Sequence, residues 1–220
     1  MSSLSKKYLS IISKILDKIS DEEEKKITDC AKIIADSYKK GGQLYIFGTG
    51  HSRLLGEEAF HRAGGYAAAC PIRDDNLTFK KGATKATSLE RTPNIARKAL
   101  QRYKITKKDV LMVVSNSGVN HAPVEAAMIA KERGIKSIAL TSIKYSKKAP
   151  LSKLNKKLYE LVDIFIDNKI PPGDTIIKIN KFSVGPASTI TGSFILNSIL
   201  IELASMLKTE KIFPFYISSN

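Results

Sequence analysis

The chain has 220 residues, 43% hydrophobic and 26% charged, with a net charge of +15; at about 100–200 residues per domain this is enough for one sizeable core. No apolar run approaches the ~20 residues a bilayer-crossing helix needs, and Cys30 and Cys70, far apart and outside any CxxC, read as free thiols of a reducing cytoplasm. The lysines are scattered without aromatic–basic interleaving, so they read as a solvated surface, and nucleic acid is not the expected partner.

The opening stretch places Leu4, Tyr8, Ile11, Ile12, Ile15 and Ile19 at helical spacing, which predicts an amphipathic helix over about residues 4–19. Lysines lie between those residues and no small-residue cleavage site follows, so the stretch does not read as a signal peptide. Ser20 and Glu23 form a capping box for a second helix. Ile27, Ala31, Ile34 and Tyr38 give it an apolar stripe, and Gly41-Gly42 stops it. Residues 1–42 are thus expected to be a helical segment for packing or dimerisation, ahead of a main domain over 43–220.

From Gln43 onward, short apolar runs alternate with helical stretches. "QLYIFG", "YAAACPI", "DVLMVVS", "KSIALTS" and "LVDIFID" read as five strands. Between and after them, helices are expected over about 52–63, from Thr92-Pro93 to Tyr103, from Pro123 to Arg133, and from Pro186 to about Leu207. Near-continuous apolar strands indicate a parallel sheet covered on both faces. The expected fold is therefore α/β: a three-layer, doubly wound, five-stranded parallel sheet with two N-terminal helices. Ligands in that architecture bind beyond the carboxyl ends of the strands.

Two strand ends look alike, "FGTGHS" (47–52) and "SNSGVN" (115–120). Each offers glycine, small polar residues and a helix start. Glycine lets backbone N–H groups approach a ligand, and a helix N-terminus supplies free donors and partial positive charge. A third such segment, "VGPASTITGS" (184–193), opens the last helix. Together they suit a phosphate. The first loop is not a dinucleotide fingerprint, because Arg53 stands where GxGxxG wants its last glycine, and no GxxxxGK[ST] occurs.

"GTGHS" before a helix, then "SNSG" with Asn120 where many members have threonine, resembles the SIS (sugar isomerase) domain. "HSRLLGEEAFHRAGG", "SNSGVNHAPVEAA", "PPGD" and "VGPASTITGSFILN" together resemble its stand-alone phosphosugar-binding subgroup. The resemblance implies a five-stranded parallel sheet, a phosphosugar as the small-molecule partner, and a homo-oligomer, dimer or tetramer, whose pockets are often completed by the neighbouring chain. It implies that Ser115 and Ser117, with Ser188, Thr189 and Thr191, hold the phosphate, while Gly50, His51 and Ser52 face the sugar; Asn116, Gly118 and Asn120 of the same loop are counted among the substrate-binding residues.

Aldose–ketose isomerisation needs a base to move a proton between adjacent carbons. Heptose-phosphate isomerases of this family have a glutamine–glutamate–any–histidine pattern on the last helix; here Thr191, Gly192, Ser193 and Phe194 replace it. Muramic-acid phosphate etherases place a glutamate on the helix after the first loop; an ungapped count puts Arg62 there, with Glu58 one turn earlier, free either to pair with Arg62 or to enter the site. Glu90, in "SLERTP", stands just before an expected helix where the resemblance implies a second catalytic glutamate, and is the favoured base against an ordinary solvated glutamate; His51 is a candidate for ring opening or proton shuttling against a loop-fixing hydrogen bond. His61, expected mid-helix, and His121, expected at an N-cap, read as structural, while Asn197 either faces the pocket or packs. No residue spacing makes a metal site, and no organic cofactor is expected. The expected function is a cytoplasmic sugar-phosphate isomerase, with a sugar-phosphate lyase or etherase, or a non-catalytic sugar-phosphate-binding regulator, as alternatives.

Overall fold

Between Ser3 and Gly41 the sequence contains neither glycine nor proline. The computed structural model, which describes residues 3–218, accordingly has one helix there, α1 (Leu4–Lys39), where two were expected. Ser20 is an exposed residue in its middle, since the DEEEKK stretch that follows consists mostly of good helix formers. A Lys18–Glu22 pair, one turn apart, bridges the junction, and Lys25–Asp29 forms a like pair beyond it. Glu23, expected to close a capping box, is buried instead and pairs with Lys26 at 2.8 Å and with Lys169. Lys169 also meets Glu22 at 3.0 Å and Asp167 at 3.4 Å. Burial opposes its charge, yet Glu23, Glu22 and Asp167 hold its pKa well above the ordinary lysine value.

The sheet consists of β1 (Leu44–Gly48), β2 (Ala69–Pro71), β3 (Val110–Val114), β4 (Lys136–Thr141) and β5 (Ile164–Asp167), all parallel, in the order β2-β1-β3-β4-β5. The other helices are α2 (Leu54–Ala59), α3 (Ala83–Glu90), α4 (Ile95–Leu100), α5 (His121–Arg133), α6 (Ile143–Lys148) and α7 (Ser188–Leu207). Successive strand residues face opposite sides. Leu44, Ile46, Val110, Met112, Val114, Ile138 and Leu140 pack with α1, α2 and α7. Tyr45, Phe47, Leu111, Val113 and Ala139 pack with α4 and α5. The expected three-layer α/β architecture is present.

Helix boundaries differ from expectation for local reasons. The helix expected over 52–63 begins after a 3-10 turn, Gly50–Arg53, and ends at Ala59, so His61 lies beyond it with φ +38°. α3 lies in the stretch before Thr92, where no element was expected. α4 starts only at Ile95, where the buried Glu125 carboxylate of α5 accepts hydrogen bonds from the N–H groups of Asn94 and Ala96, both at 2.9 Å. α5 starts at His121, two residues before Pro123.

An antiparallel hairpin, β6 (Thr175–Ile179) with β7 (Phe182–Pro186), was not foreseen. Its turn carries Asn180 at φ +52° but no glycine, and β7 is almost wholly exposed, so the usual hairpin and core signals are weak. Pro186 therefore closes a strand, and α7 opens two residues later. With 20 residues and a mean hydropathy of 1.6, α7 does reach the length and composition of a membrane span. Its Ile195, Leu196, Ile199, Leu203 and Leu207 are instead fully buried in the core against α1 and the sheet. The C-terminal stretch docks beside residues 64–67, with Ala67 N–H donating to the Pro214 carbonyl and Tyr216 N–H to that of Gly65.

Ser20→Ala is expected to leave the melting temperature unchanged or slightly raised, because alanine is the better interior helix residue, whereas loss of a true N-cap would cost about 1 kcal/mol. Ile19→Ala, at a fully buried position of the same turn, is expected to cost about 2–5 kcal/mol. Denaturation followed by circular dichroism separates the two.

Candidate functional site

In this strand order β2 lies on one side of β1 while β3, β4 and β5 lie on the other. The chain reverses direction across the sheet between β1 and β3, and such a switch point opens a crevice at the carboxyl ends of the two strands. Gly48 of β1 is level with Val114 of β3, so the two following loops leave the sheet at the same height.

The first loop turns so tightly that a Cβ on Gly48 would stand 2.7 Å from the backbone of Ser52 and Arg53. Gly50 follows with φ +52°, and Ser52 N–H donates to the Thr49 carbonyl at 3.0 Å. Gly50, His51 and Ser52 all line one cleft of about 380 Å³. His51 packs on Phe79 with ring centroids 5.0 Å apart.

The second loop is held from both sides. Ser115 is buried, its N–H donates to the Leu140 carbonyl, and its Oγ accepts from Gly118 N–H at 3.2 Å. The Asn116 carbonyl accepts from Ser142 N–H at 3.0 Å, and its Oδ1 accepts from Asn168 Nδ2 at 2.8 Å. Gly118 has φ +60°, and a Cβ there would meet Thr141 Oγ1 at 2.7 Å. Ser115, Asn116 and Ser117 line the cleft; Gly118 stands behind them as the pivot of the turn.

The third segment is divided. Ser188 and Thr189, in the first turn of α7, line the cleft. Thr191 is fully buried, with its hydroxyl donating to the Ser188 carbonyl at 3.3 Å, outside the cleft lining. Ser188 itself is engaged by Asp174: its N–H donates to Oδ1 at 2.8 Å and its hydroxyl to Oδ2 at 2.5 Å. Ala187 N–H donates to the same Oδ1 at 3.0 Å.

Glu90, the last residue of α3, lines the cleft, and its Oε1 accepts from Asn120 Nδ2 at 2.9 Å. Asn120, at the N-cap of α5, thus orients Glu90 and is not itself among the lining residues. Glu58 is also outside the lining, held by Arg62 and, at 3.4 Å, by Asn197, which in turn donates to the Ser193 carbonyl. His61 meets the Tyr216 ring edge-on, and His121 is a buried first-turn residue of α5.

Sequence reasoning missed Asp174, Tyr145, Thr87 and Phe79 as cleft residues. Pro171-Pro172-Gly173-Asp174 signals a turn, and Gly173 and Asp174 do have φ +82° and +63°. That signal gives no indication that the carboxylate reaches the start of α7, because the hairpin between them brings the two together. The assembled cleft is lined by hydroxyl-bearing residues and by the carboxylates of Glu90 and Asp174, a set able to hold an oxyanion and to take up a proton.

A model of the family described as SIS domain matches residues 7–142. A UPF0309 protein of Brucella canis is 37% identical over 222 residues, spanning 100% of this chain and 91% of its own length. Among solved structures, a phosphoheptose isomerase from Francisella tularensis is similar with a TM-score of 0.61 at 16% identity, covering 93% of this chain and 100% of that one. A protein of E. coli CFT073 in complex with a phosphosugar is similar with a TM-score of 0.56 at 15% identity, covering 94% and 92%. At such identities the structural likeness concerns the fold.

Gly118→Ala is expected to destabilise by about 2–3 kcal/mol, combining left-handed backbone strain with the clash on Thr141. Gly64→Ala, at φ +72° with open space around it, carries the strain alone and is expected to cost about 1 kcal/mol. Urea unfolding of both variants checks the difference.

Proposed function

The chain belongs to the SIS domain family, and from that premise we propose that it is a sugar-phosphate isomerase. The observation that carries the reading is the convergence of three hydroxyl-bearing segments, after β1, after β3 and at the start of α7, on one cleft with Glu90 in its wall. In this proposal Ser52, Ser115, Ser117 and Thr189 hold the phosphate through neutral donors, helped by the backbone of the Gly50–Arg53 turn. Gly118, Asn120 and Thr191 support those groups from outside the lining, Asn116 lines the cleft beside them, and Ser188 is shared with Asp174. The likeness to a phosphoheptose isomerase and to a protein in complex with a phosphosugar supports a phosphosugar as ligand.

Glu90 is the proposed base. Its carboxylate removes a proton from the carbon next to the sugar carbonyl, the electron pair moves to the carbonyl oxygen, and an enediolate forms. The same group returns the proton to the adjacent carbon, which completes the exchange of aldehyde and ketone. Asn120 Nδ2 on Oε1 fixes the direction of the carboxylate. His51, resting on Phe79, is the proposed carrier of a proton between the two substrate oxygens. Elimination is the weaker reading, because Glu58, the glutamate that would serve it, is turned to Arg62 and Asn197.

We take the protein to act as a homo-oligomer, with residues 1–42 contributing to packing and subunit contact. The exposed Leu4 and Leu9 on α1 and Ile201 on α7 support that assembly. The free Cys30 and Cys70 thiols fit a reducing compartment such as the cytoplasm.

In deuterated water, fructose 6-phosphate or a related sugar phosphate should acquire deuterium at the carbon next to its carbonyl. Glu90→Gln is expected to slow that exchange by about 10²–10⁴-fold while the ligand still raises the melting temperature. Exchange at the original rate in the variant would remove Glu90 from the role. Ser117→Ala should weaken binding of the same ligand by about 1 kcal/mol or more, read by calorimetry.

A further inference from the structure

Most side-chain donors on the cleft wall have no fixed polarity. No lysine or arginine lines it among the described residues, and apart from His51 its side-chain donors are hydroxyls and the Asn116 amide. A hydroxyl accepts as readily as it donates, whereas an amide whose oxygen is already engaged offers N–H groups alone. Asn116 is in that state. Its Oδ1 accepts from Asn168 Nδ2 at 2.8 Å. Its main-chain carbonyl accepts from Ser142 N–H at 3.0 Å and from the Thr141 hydroxyl at 3.3 Å. Its Nδ2 has no partner among the described residues and is not buried.

The direction of the Asn168 amide is set outside the cleft. Asn168 is fully buried, just beyond β5, and does not line the cleft. Its N–H donates to the Thr141 carbonyl at 2.9 Å, and its Oδ1 accepts from Ile170 N–H at 3.5 Å. A backbone N–H only donates, so Oδ1 stays on that side and Nδ2 stays toward Asn116. The neighbouring Lys169 is anchored to Glu22, Glu23 and Asp167. Asp167 Oδ1 also accepts from Ile143 N–H and Lys169 N–H, both at 3.1 Å, so the turn that carries Asn168 is pinned. A reversed Asn116 amide would set two donors against each other. We infer that Asn168 is a positioning residue: it fixes the polarity of Asn116, which then presents only donors to an oxyanion held beside Ser115 and Ser117. The inference rests on the phosphosugar reading above. It adds to that reading a neutral donor of fixed sense, on a wall that also carries Glu90 and Asp174.

Two measurements test it. The first is magnetic resonance of the unmodified, isotope-labelled protein, with the side-chain amide protons of Asn116 and Asn168 assigned through their backbone signals. Without ligand, those of Asn168 should exchange with solvent at least about tenfold more slowly than those of Asn116, and inorganic phosphate should slow the Asn116 exchange. Equal rates, or slower exchange at Asn116, overturn the inference. The second is calorimetric titration with inorganic phosphate and fructose 6-phosphate. Asn116→Ala is expected to weaken both by about tenfold or more, the scale of one hydrogen bond to an anion. Asn168→Leu, similar in volume and unable to donate, frees the Asn116 amide to turn and should weaken both by about three- to tenfold. Added to Asn116→Ala, the same change should cost less than about twofold more, because its effect passes through that amide. A loss as large in that background as in the unmodified protein overturns the inference, since Asn168 then acts through the shape of the loop alone. Unchanged affinity in folded Asn168→Leu also overturns it. If Asn168→Leu fails to fold, the exchange rates in the unmodified protein decide. Failure of both ligands to bind the unmodified protein overturns the phosphosugar reading and this inference with it.

Discussion

Much of this molecule depends on one backbone pairing, Gly48 of β1 level with Val114 of β3. Because the strand order turns back at this pair, no crossover helix covers the gap beyond it, and the two loops that leave it face a common space. Each loop can turn there only because a glycine occupies the tight position. A side chain on Gly48 would strike Ser52 and Arg53, and one on Gly118 would strike Thr141. The hydroxyls of Ser52, Ser115 and Ser117 are thereby presented at the rim of the sheet, with buried strands beneath them.

The rest of the fold holds that rim in place. Asn116 is tied to Ser142 and Asn168, and Gly118 to Leu158, so the β3 loop is braced by the segments after β4 and around β5. α1 runs unbroken behind the sheet and is fastened near its middle by the Glu23–Lys169 pair to the chain just beyond β5. α7, apolar enough to stand in a membrane, packs against α1 and α2 in the shared core and brings its first turn to the cleft. The same start of α7 is where Asp174 is captured, so one helix terminus positions both a proposed phosphate donor, Thr189, and a carboxylate.

The strands were legible in the sequence because parallel strands buried on both faces are runs of apolar residues, and VLMVV and LYIFG have few other uses. The glycine and hydroxyl turns after them were legible for a related reason: few residue types fit a tight turn beneath a helix. Helix ends were less so. Ser20 and Glu23 have the spacing of a capping box, but the burial of Ile19 and the Glu23–Lys169 pair favour continuation. Asn94 and Ile95 open α4 because Glu125, about 30 residues further on, supplies the cap.

The sequence by itself determined the layered α/β architecture, the order of its five core strands along the chain, and the segments that bear hydroxyls and glycines at the strand ends, since these follow from local periodicity and from the steric demands of turns. Only the tertiary structure decided which of those residues share one cavity. It put Glu90 and Asp174 into the wall, turned Glu58 away to Arg62, and withdrew Thr191 into the core. The physical reason is that a side chain's direction depends on partners far along the chain. Asn120 for Glu90 and the α7 backbone for Asp174 become neighbours only when the sheet and the hairpin have formed.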